Sequence, residues 1–252
     1  MEASSNEPLV IESQEGIAQG CPLGVFAYGI GMVPLLRKIR QHMYLEEEVV
    51  MATYANDVNA AGTAVQSATI LQRLIEWGPD YGYHVGVPKT YFLCDAKDEA
   101  AARRVFESRG LNIKYSRGER VLGGFIGTSA ATVDWIQPKV EEWRQAVKIL
   151  ENIARRYPQT AYYGLAVSLQ NEWQHICRTV PHVGELMGPL EEALCSFLST
   201  LLDVLLGEDG ELRRLLSHKV KQAGMGILIP TESAEVAFET STSASQMLVS
   251  AL

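Results

Sequence analysis

The chain has 252 residues, 47% of them hydrophobic and 21% charged, the composition of a globular protein that buries a real core in one large domain or two small ones. A net charge of −8 excludes a protein that grips nucleic acid by bulk charge and leaves room only for a local basic groove. Four cysteines (Cys21, Cys94, Cys177, Cys195) form no CxxC pair, and the five histidines show no metal-ligand spacing, so no zinc site is read and the thiols are expected free in a reducing compartment.

No apolar run approaches the roughly 20 residues of a membrane span. The start, with Glu2 and Glu7 among Ser and Asn, resembles neither a secretory signal nor a transit peptide. The expectation is an intracellular protein, nuclear or cytoplasmic, without a membrane partner.

Residues 1–14 lack apolar periodicity and are expected to be a flexible lead-in. In Glu15–Gly24, two glycines bracket Gln19, and Pro22 suits the first turn of a helix. From Leu23 the apolar residues Leu23, Phe26, Ile30, Val33 and Ile39 recur as a helical stripe, and the basic cluster Arg37, Lys38 and Arg40 suits the helix C-terminus. Gly29 and Gly31 each cost such a helix about 1 kcal/mol and suggest close approach of another backbone or a ligand.

After a solvated Glu46-Glu47-Glu48 loop, Val49–Thr53 leads into Tyr54-Ala55-Asn56-Asp57 and Val58–Gly62 leads out. This predicts a β-hairpin with Asn56-Asp57 at its tip, holding an acidic side chain into a cleft. Val65, Ala68, Leu71, Leu74 and Ile75 form the next helical face, closed by Gly78-Pro79. Residues 83–88 read as a connector, Lys89–Cys94 as a strand, and Asp95 as the cap of an Ala-rich helix that stops at Gly110. Leu111–Tyr115 and Arg120–Ile126 read as paired strands joined by a Ser116–Glu119 turn.

From Val133 the composition turns helical. Pro138 opens a helix to about Arg156, Pro158 breaks it, and further helices are expected over Gln159–Thr179, Pro189–Leu206 and Glu211–Leu216. A glycine-broken apolar stretch, Gly224–Pro230, precedes a Ser/Thr/Ala-rich tail from Thr231 with weak helical character. The fold class is α+β: a mixed domain over residues 15–128, an all-helical region over 129–230 and a tail over 231–252.

These pieces in this order resemble a reverse transcriptase, and more closely the polymerase of a eukaryotic retrotransposon whose members carry a Gln-Gly-Cys-Pro-Leu-Gly stretch followed by a Tyr-Ala-Asp-Asp box. The resemblance spans roughly 15–230. Glu15–Gly24 is similar to the family's Gln-Gly motif, Tyr54–Asp57 to its catalytic hairpin, Pro88-Lys89-Thr90 to its Lys motif, and Val121-Leu122-Gly123-Gly124 to its primer-side strand. Residues 133–230 resemble its helical thumb.

The resemblance implies a partial right-hand palm, helices packed on a small antiparallel sheet, followed by a thumb. It also implies templated DNA synthesis on an RNA template and DNA primer, with two Mg²⁺ (or Mn²⁺) ions clamped by three carboxylates. It places Asp57 at a metal, Gln19, Gly20 and Tyr54 by the template and incoming nucleotide, Lys89 near the triphosphate, and Leu122, Gly123 and Gly124 on the primer side.

The chain departs from that pattern twice. Asn56 stands where the family has the first hairpin Asp, and no strand carrying the upstream Asp precedes residue 15. Asn offers a neutral carbonyl and cannot neutralise a dication; a loss of about 3–5 kcal/mol of transition-state stabilisation is roughly 10²–10⁴ in rate. The expectation is therefore a degenerate, catalytically impaired fragment. Two alternatives stand beside it. One is a non-catalytic nucleic-acid-binding module using Lys139, Arg144, Lys148, Arg155 and Arg156, although the interleaved Glu141, Glu142 and Glu151 favour an ordinary solvated face. The other is a module that assembles in trans with a missing fingers and upstream palm segment.

Overall fold

A computed structural model describes residues 21, 23–43, 49–206 and 210–250. The expected lead-in, Gln19, Gly20 and the Glu46–Glu48 loop lie outside the described residues. The chain divides into two compact units, one of residues 1–92 and 96–115, the other of residues 93–95 and 116–252. The sequence places the border near residue 128, so the two divisions differ over the segments 93–95 and 116–128.

In the first unit, helix α1 spans Gly24–Met43 and ends with Arg40 and His42 in its last turn. The helix forms as expected and Ile39 of the expected stripe is buried, but the other four residues of that stripe lie on the opposite, exposed face. Met32, Leu35 and Ile39 are buried, whereas Leu23, Phe26, Ile30 and Val33 are exposed. Both sets repeat at helical spacing, so periodicity finds the helix without choosing between its faces. A Cβ at Gly29 or Gly31 would meet nothing within 4 Å among the described residues, so the close approach read from these glycines is not met there.

Strands β1 (Val50–Tyr54) and β2 (Asp57–Ala61) pair antiparallel. Val49, Met51 and Val58, on one face of the hairpin, pack with Leu35 and Ile39 of α1 and with Ile70 and Leu74 of helix α2 (Ala64–Trp77). Helix α2 starts at a reciprocal capping box: Thr63 Oγ1 accepts from the Gln66 N–H and Gln66 Oε1 accepts from the Thr63 N–H. Its other buried side chains, Ala68 and Leu71, join Phe106 of helix α3 (Ala96–Glu107) and Leu111 and Ile113 in a separate small cluster.

Strand β3 (Tyr91–Leu93) pairs with β4 (Lys114–Ser116). Lys114 N–H donates to Thr90 O and Cys94 N–H to Ser116 O, so the two strands run parallel with α3 as the crossover. This corrects two expectations. The sheet content is three separate two-stranded ladders rather than one antiparallel sheet. The segment 111–115 does not pair with 120–126, because the latter is itself a hairpin, β5 (Gly118–Val121) with β6 (Gly124–Gly127), turning at Leu122-Gly123.

The second unit contains that hairpin and the helical remainder. Helix α4 spans Ser129–Ala154 and is capped by Thr128, whose Oγ1 accepts from Ala131 N–H. Pro138 therefore lies inside this helix rather than at its start; the cap overrides the proline. Residues 158–179 form α5 (Pro158–Tyr163), a π-helical turn (Gly164–Leu169) and α6 (Gln170–Thr179). The π turn sends the Gln170 N–H to Leu165 O, and the Gln170 side-chain amide occupies the Ala166 carbonyl so released.

Helix α7 (Gly188–Leu202) packs on α4, and α8 (Glu211–Ser217) carries Arg213 into the core. Arg213 donates to both Glu191 carboxylate oxygens (2.7 and 3.0 Å) and to the carbonyls of Ile227 and Leu228. It thereby staples the glycine-broken stretch to the helices. The segment expected to be a tail forms helix α9 (Pro230–Val249), which packs on α6 with Ala234 buried. Its Ser, Thr and Ala residues make it weakly amphipathic, and tertiary contact at its start supplies what propensity does not.

Candidate functional site

The Tyr54–Asp57 hairpin closes with Tyr54 opposite Asp57, which makes Ala55-Asn56 the two-residue turn. The expected Asn56-Asp57 tip is thus corrected by one position: Asp57 is the first residue of β2. Ala55, not Asn56, takes the left-handed conformation (φ +50°), a region that costs a residue with a Cβ about 1 kcal/mol or more. With a side-chain period of two, Tyr54 and Asp57 share the face opposite Met51 and Val58, away from the helices.

Beside this turn stands Tyr83, from the connector after α2. Its hydroxyl donates to the Asn56 carbonyl at 3.3 Å. Burial raises the Tyr83 phenol above the ordinary tyrosine range, and the Tyr28 phenol and Asp57 carboxylate push it the same way. Burial also raises Tyr28. The arrangement is one carboxylate, one neutral amide and two phenols that stay protonated at neutral pH. Sequence reading missed Tyr83 and Tyr28, because neither belongs to the four-residue box and nothing in local pattern ties residue 83 to residue 56.

Among the described residues no group of three or more His, Cys, Asp or Glu side chains could hold a metal ion. Asp57 flanked by a neutral Asn56 does not fit a site for two hard dications, which together require several carboxylate oxygens. The chemistry available at this turn is hydrogen bonding and a single negative charge.

Lys89 ends a 3₁₀ turn (Val87–Lys89) rather than starting a strand, and it is exposed. Leu122, Gly123 and Gly124 lie in the second unit, at the β5–β6 turn. Leu122 has φ +50° and Gly123 φ +84°. A Cβ on Gly123 would come within 2.9 Å of His175 Nε2, and one on Gly124 within 3.1 Å of Thr179 Oγ1, so the two glycines let the turn lie directly on α6. Phe125, stacked on Trp135 of α4 at 4.8 Å, anchors the same hairpin. His175 and Thr179 are residues that sequence reading did not find; their i, i+4 spacing on one helix face is the only local signal.

The basic residues of α4 are largely engaged. Arg144 donates to both oxygens of Glu141 (2.6 and 2.7 Å), and these bonds with that from Gln145 hold the exposed Glu141 carboxyl down at about 2. Arg155 is 4.0 Å from Glu151, and Lys139 lies over the Trp135 ring. This is the pattern of a solvated helix face with local pairs.

The fold and the site together define a mixed α+β protein with a hairpin bearing one acidic side chain. No protein-family model, curated protein or solved structure matches the chain. Among the described residues no helix is long and apolar enough to cross a membrane.

Proposed function

We propose that the chain is a retrotransposon-derived reverse transcriptase fragment, a partial palm followed by a helical thumb, whose templated DNA synthesis is lost or strongly impaired. The observation that carries this reading is the hairpin itself. A two-residue turn puts Asp57 on an exposed face with a neutral amide at the neighbouring position where the resembled family has a second carboxylate. In the family, RNA template, DNA primer and two Mg²⁺ ions meet at this turn; here Asp57 would be the remaining ligand and Lys89 the remaining cation for a triphosphate. With Asn56 in place of one of the family's carboxylates, the reaction is expected to fall by the roughly 10²–10⁴ that one lost ligand costs.

The test is RNA-templated primer extension with the purified chain in Mg²⁺ and in Mn²⁺, with Asp57→Ala as the control. No extension is expected. Extension that disappears in the Asp57→Ala variant would overturn the loss of activity and point to a carboxylate donor elsewhere in the chain.

A second reading, assembly in trans with a chain that supplies the missing strand and fingers, has its own support. Val50 and Tyr54 are 66% and 61% exposed on the outer hairpin face, which is an unusual place for an apolar β-branched and an aromatic side chain. Mixing an upstream palm–fingers fragment with the Asn56→Asp variant should then restore extension. A mixture as silent as the single chain would remove this reading and leave the degenerate fragment.

A further inference from the structure

In the second unit, residues 225–229 lead into α9 without belonging to a helix or a strand, and side chains bind their backbone where a sheet would use a partner strand. Tyr162 of α5 donates to the Met225 carbonyl (2.8 Å) and Gln170 of α6 to that of Gly226 (3.3 Å). Arg213 of α8 donates to those of Ile227 (2.7 Å) and Leu228 (2.9 Å). Four consecutive carbonyls are thus held by three side chains from three helices, and the Ile227 side chain is fully buried beside them. In peptide recognition, main-chain hydrogen bonds supply affinity and a pocket for a side chain supplies specificity.

Two of the donors keep a partner when this segment leaves. Arg213 also donates to both Glu191 oxygens, so its charge stays paired. The Gln170 amide also donates to the Ala166 carbonyl at 2.8 Å. Its Oε1 is buried without a hydrogen-bond partner among the described residues, a cost that water relieves on opening. The chain on either side holds the segment lightly. Before it, Ala223 sits at φ +64°, and Gly224 lies so close to the His218 carbonyl that a Cβ would clash. After it, α9 buries only Pro230 and Ala234 of its 20 residues and exposes Val236, Met247, Leu248 and Val249.

We propose that residues 224–250 are a releasable strap, and that Tyr162, Gln170 and Arg213 form a peptide-binding site which the strap fills in the resting protein. The strap leaves as one piece while α4, α6 and α7 stay folded. The vacated site takes a peptide of the same chemistry, with an aliphatic side chain in the place of Ile227 and carbonyls free on either side of it. The occupant that meets those terms by construction is the same segment of a second copy. The strap lies in the second unit and does not rest on the polymerase reading.

Amide exchange on the full-length chain tests the release. The hydrogen-bonded amides of Met225, Gly226 and Ser233 should exchange together, at least about tenfold faster than those of α4 and α7. Protection equal to that of α4 and α7 would overturn the proposal. Fluorescence anisotropy of a labelled peptide of residues 224–250, added to full-length chain, tests the site. Ile227→Ala in the chain weakens the resident strap and leaves the three donors in place. That variant should bind the peptide at least about tenfold more tightly than the unsubstituted chain, because the competent state is more populated. A peptide carrying Ile227→Asp should not bind. Binding to neither chain, or binding indifferent to that substitution in the peptide, would overturn the proposal. Tyr162→Phe removes only the hydroxyl that holds Met225 and should speed exchange of the strap several-fold while leaving α4 unchanged. Equal acceleration throughout the unit would make the contact an ordinary folding contact and overturn the strap.

Discussion

The two units differ in how their helices are covered. In the second, one continuous cluster runs from Phe125 through Trp143, Trp173, Leu194 and Phe197 to Ala234, so both the long helices and the β5–β6 hairpin are buried against one another. In the first, burial is split between a five-residue cluster around Leu35 and another around Phe106, while Phe26, Ile30, Val50 and Tyr54 face outward. Hydrophobic stabilisation follows the apolar area removed from water, so the second unit, with its single larger cluster, is expected to be the more stable of the two, although both units also expose large apolar side chains.

The largest effects should come from cutting the two cores in parallel. Phe197→Ala removes a fully buried ring from the second unit and should cost about 3–5 kcal/mol; Leu35→Ala in the first should cost about 2–5 kcal/mol. The informative quantity is which transition moves. If the units melt separately, Leu35→Ala lowers an early transition and leaves the late one in place, and Phe197→Ala lowers the late one. A single transition that both variants shift equally in denaturant titrations would break the comparison.

Next comes the Arg213 staple. Glu191→Leu leaves a guanidinium buried among the Ile227 and Leu228 carbonyls without its carboxylate, and should destabilise the second unit by about 3–5 kcal/mol. The double variant Glu191→Leu with Arg213→Met should lose less than Glu191→Leu alone, since an apolar pair has no charge to leave unpaired. A double variant worse than the single would show that the carbonyl contacts, rather than the ion pair, hold the stretch before α9.

What was legible in the sequence divides along physical lines. Helices with strong periodicity and terminal signals, such as α2 before Gly78-Pro79 and α7 after Pro189, are found nearly where expected, because their patterns are local. The choice between the two apolar faces of α1 is not local, and the sequence reading takes the exposed one. The β5–β6 hairpin hides in a continuous run because its turn uses Leu122, a residue that rarely takes positive φ, and its support comes from His175 and Thr179 fifty residues away. Pro138 misplaces the start of α4 because a proline also fits inside a helix that a Thr cap begins earlier. At the candidate site, the Tyr54–Asp57 hairpin is legible and its register is off by one; Tyr83, which ties the turn to the helices, is not.

A smaller effect tests the first unit's own architecture. Thr63→Ala removes one arm of the capping box on α2 and should cost about 1 kcal/mol. Because α2 contributes Ile70 and Leu74 to one cluster and Ala68 and Leu71 to the other, the loss should weaken both clusters together. Amide exchange protecting residues near Phe106 and near Leu35 to the same reduced extent would confirm that α2 joins them. Loss confined to one cluster would mean that the first unit is itself two independent pieces.

The smallest effect at neutral pH becomes visible only in alkali, and it separates the units by their ionisable groups. Burial pushes the Cys177 and Cys195 thiols, both in the second unit, up to about 11 from an ordinary value of 9.0. A folded-state value above the unfolded one means that the folded protein keeps a proton the unfolded chain releases. The associated stability is therefore complete below pH 9.0 and is lost as pH rises toward 11. In the first unit the groups raised by burial are the phenols of Tyr28 and Tyr83, whose ordinary value is 10.0, so its loss begins later. Melts taken at half-unit steps above pH 8.5 should show the second unit weakening first, with Cys177→Ala flattening that dependence. The same order should appear in thiol labelling, where exposed Cys21 reacts at once and Cys177 reacts only as its unit opens. Labelling of Cys177 as fast as Cys21 in the native chain would mean that the second unit opens too readily to be the more stable of the two.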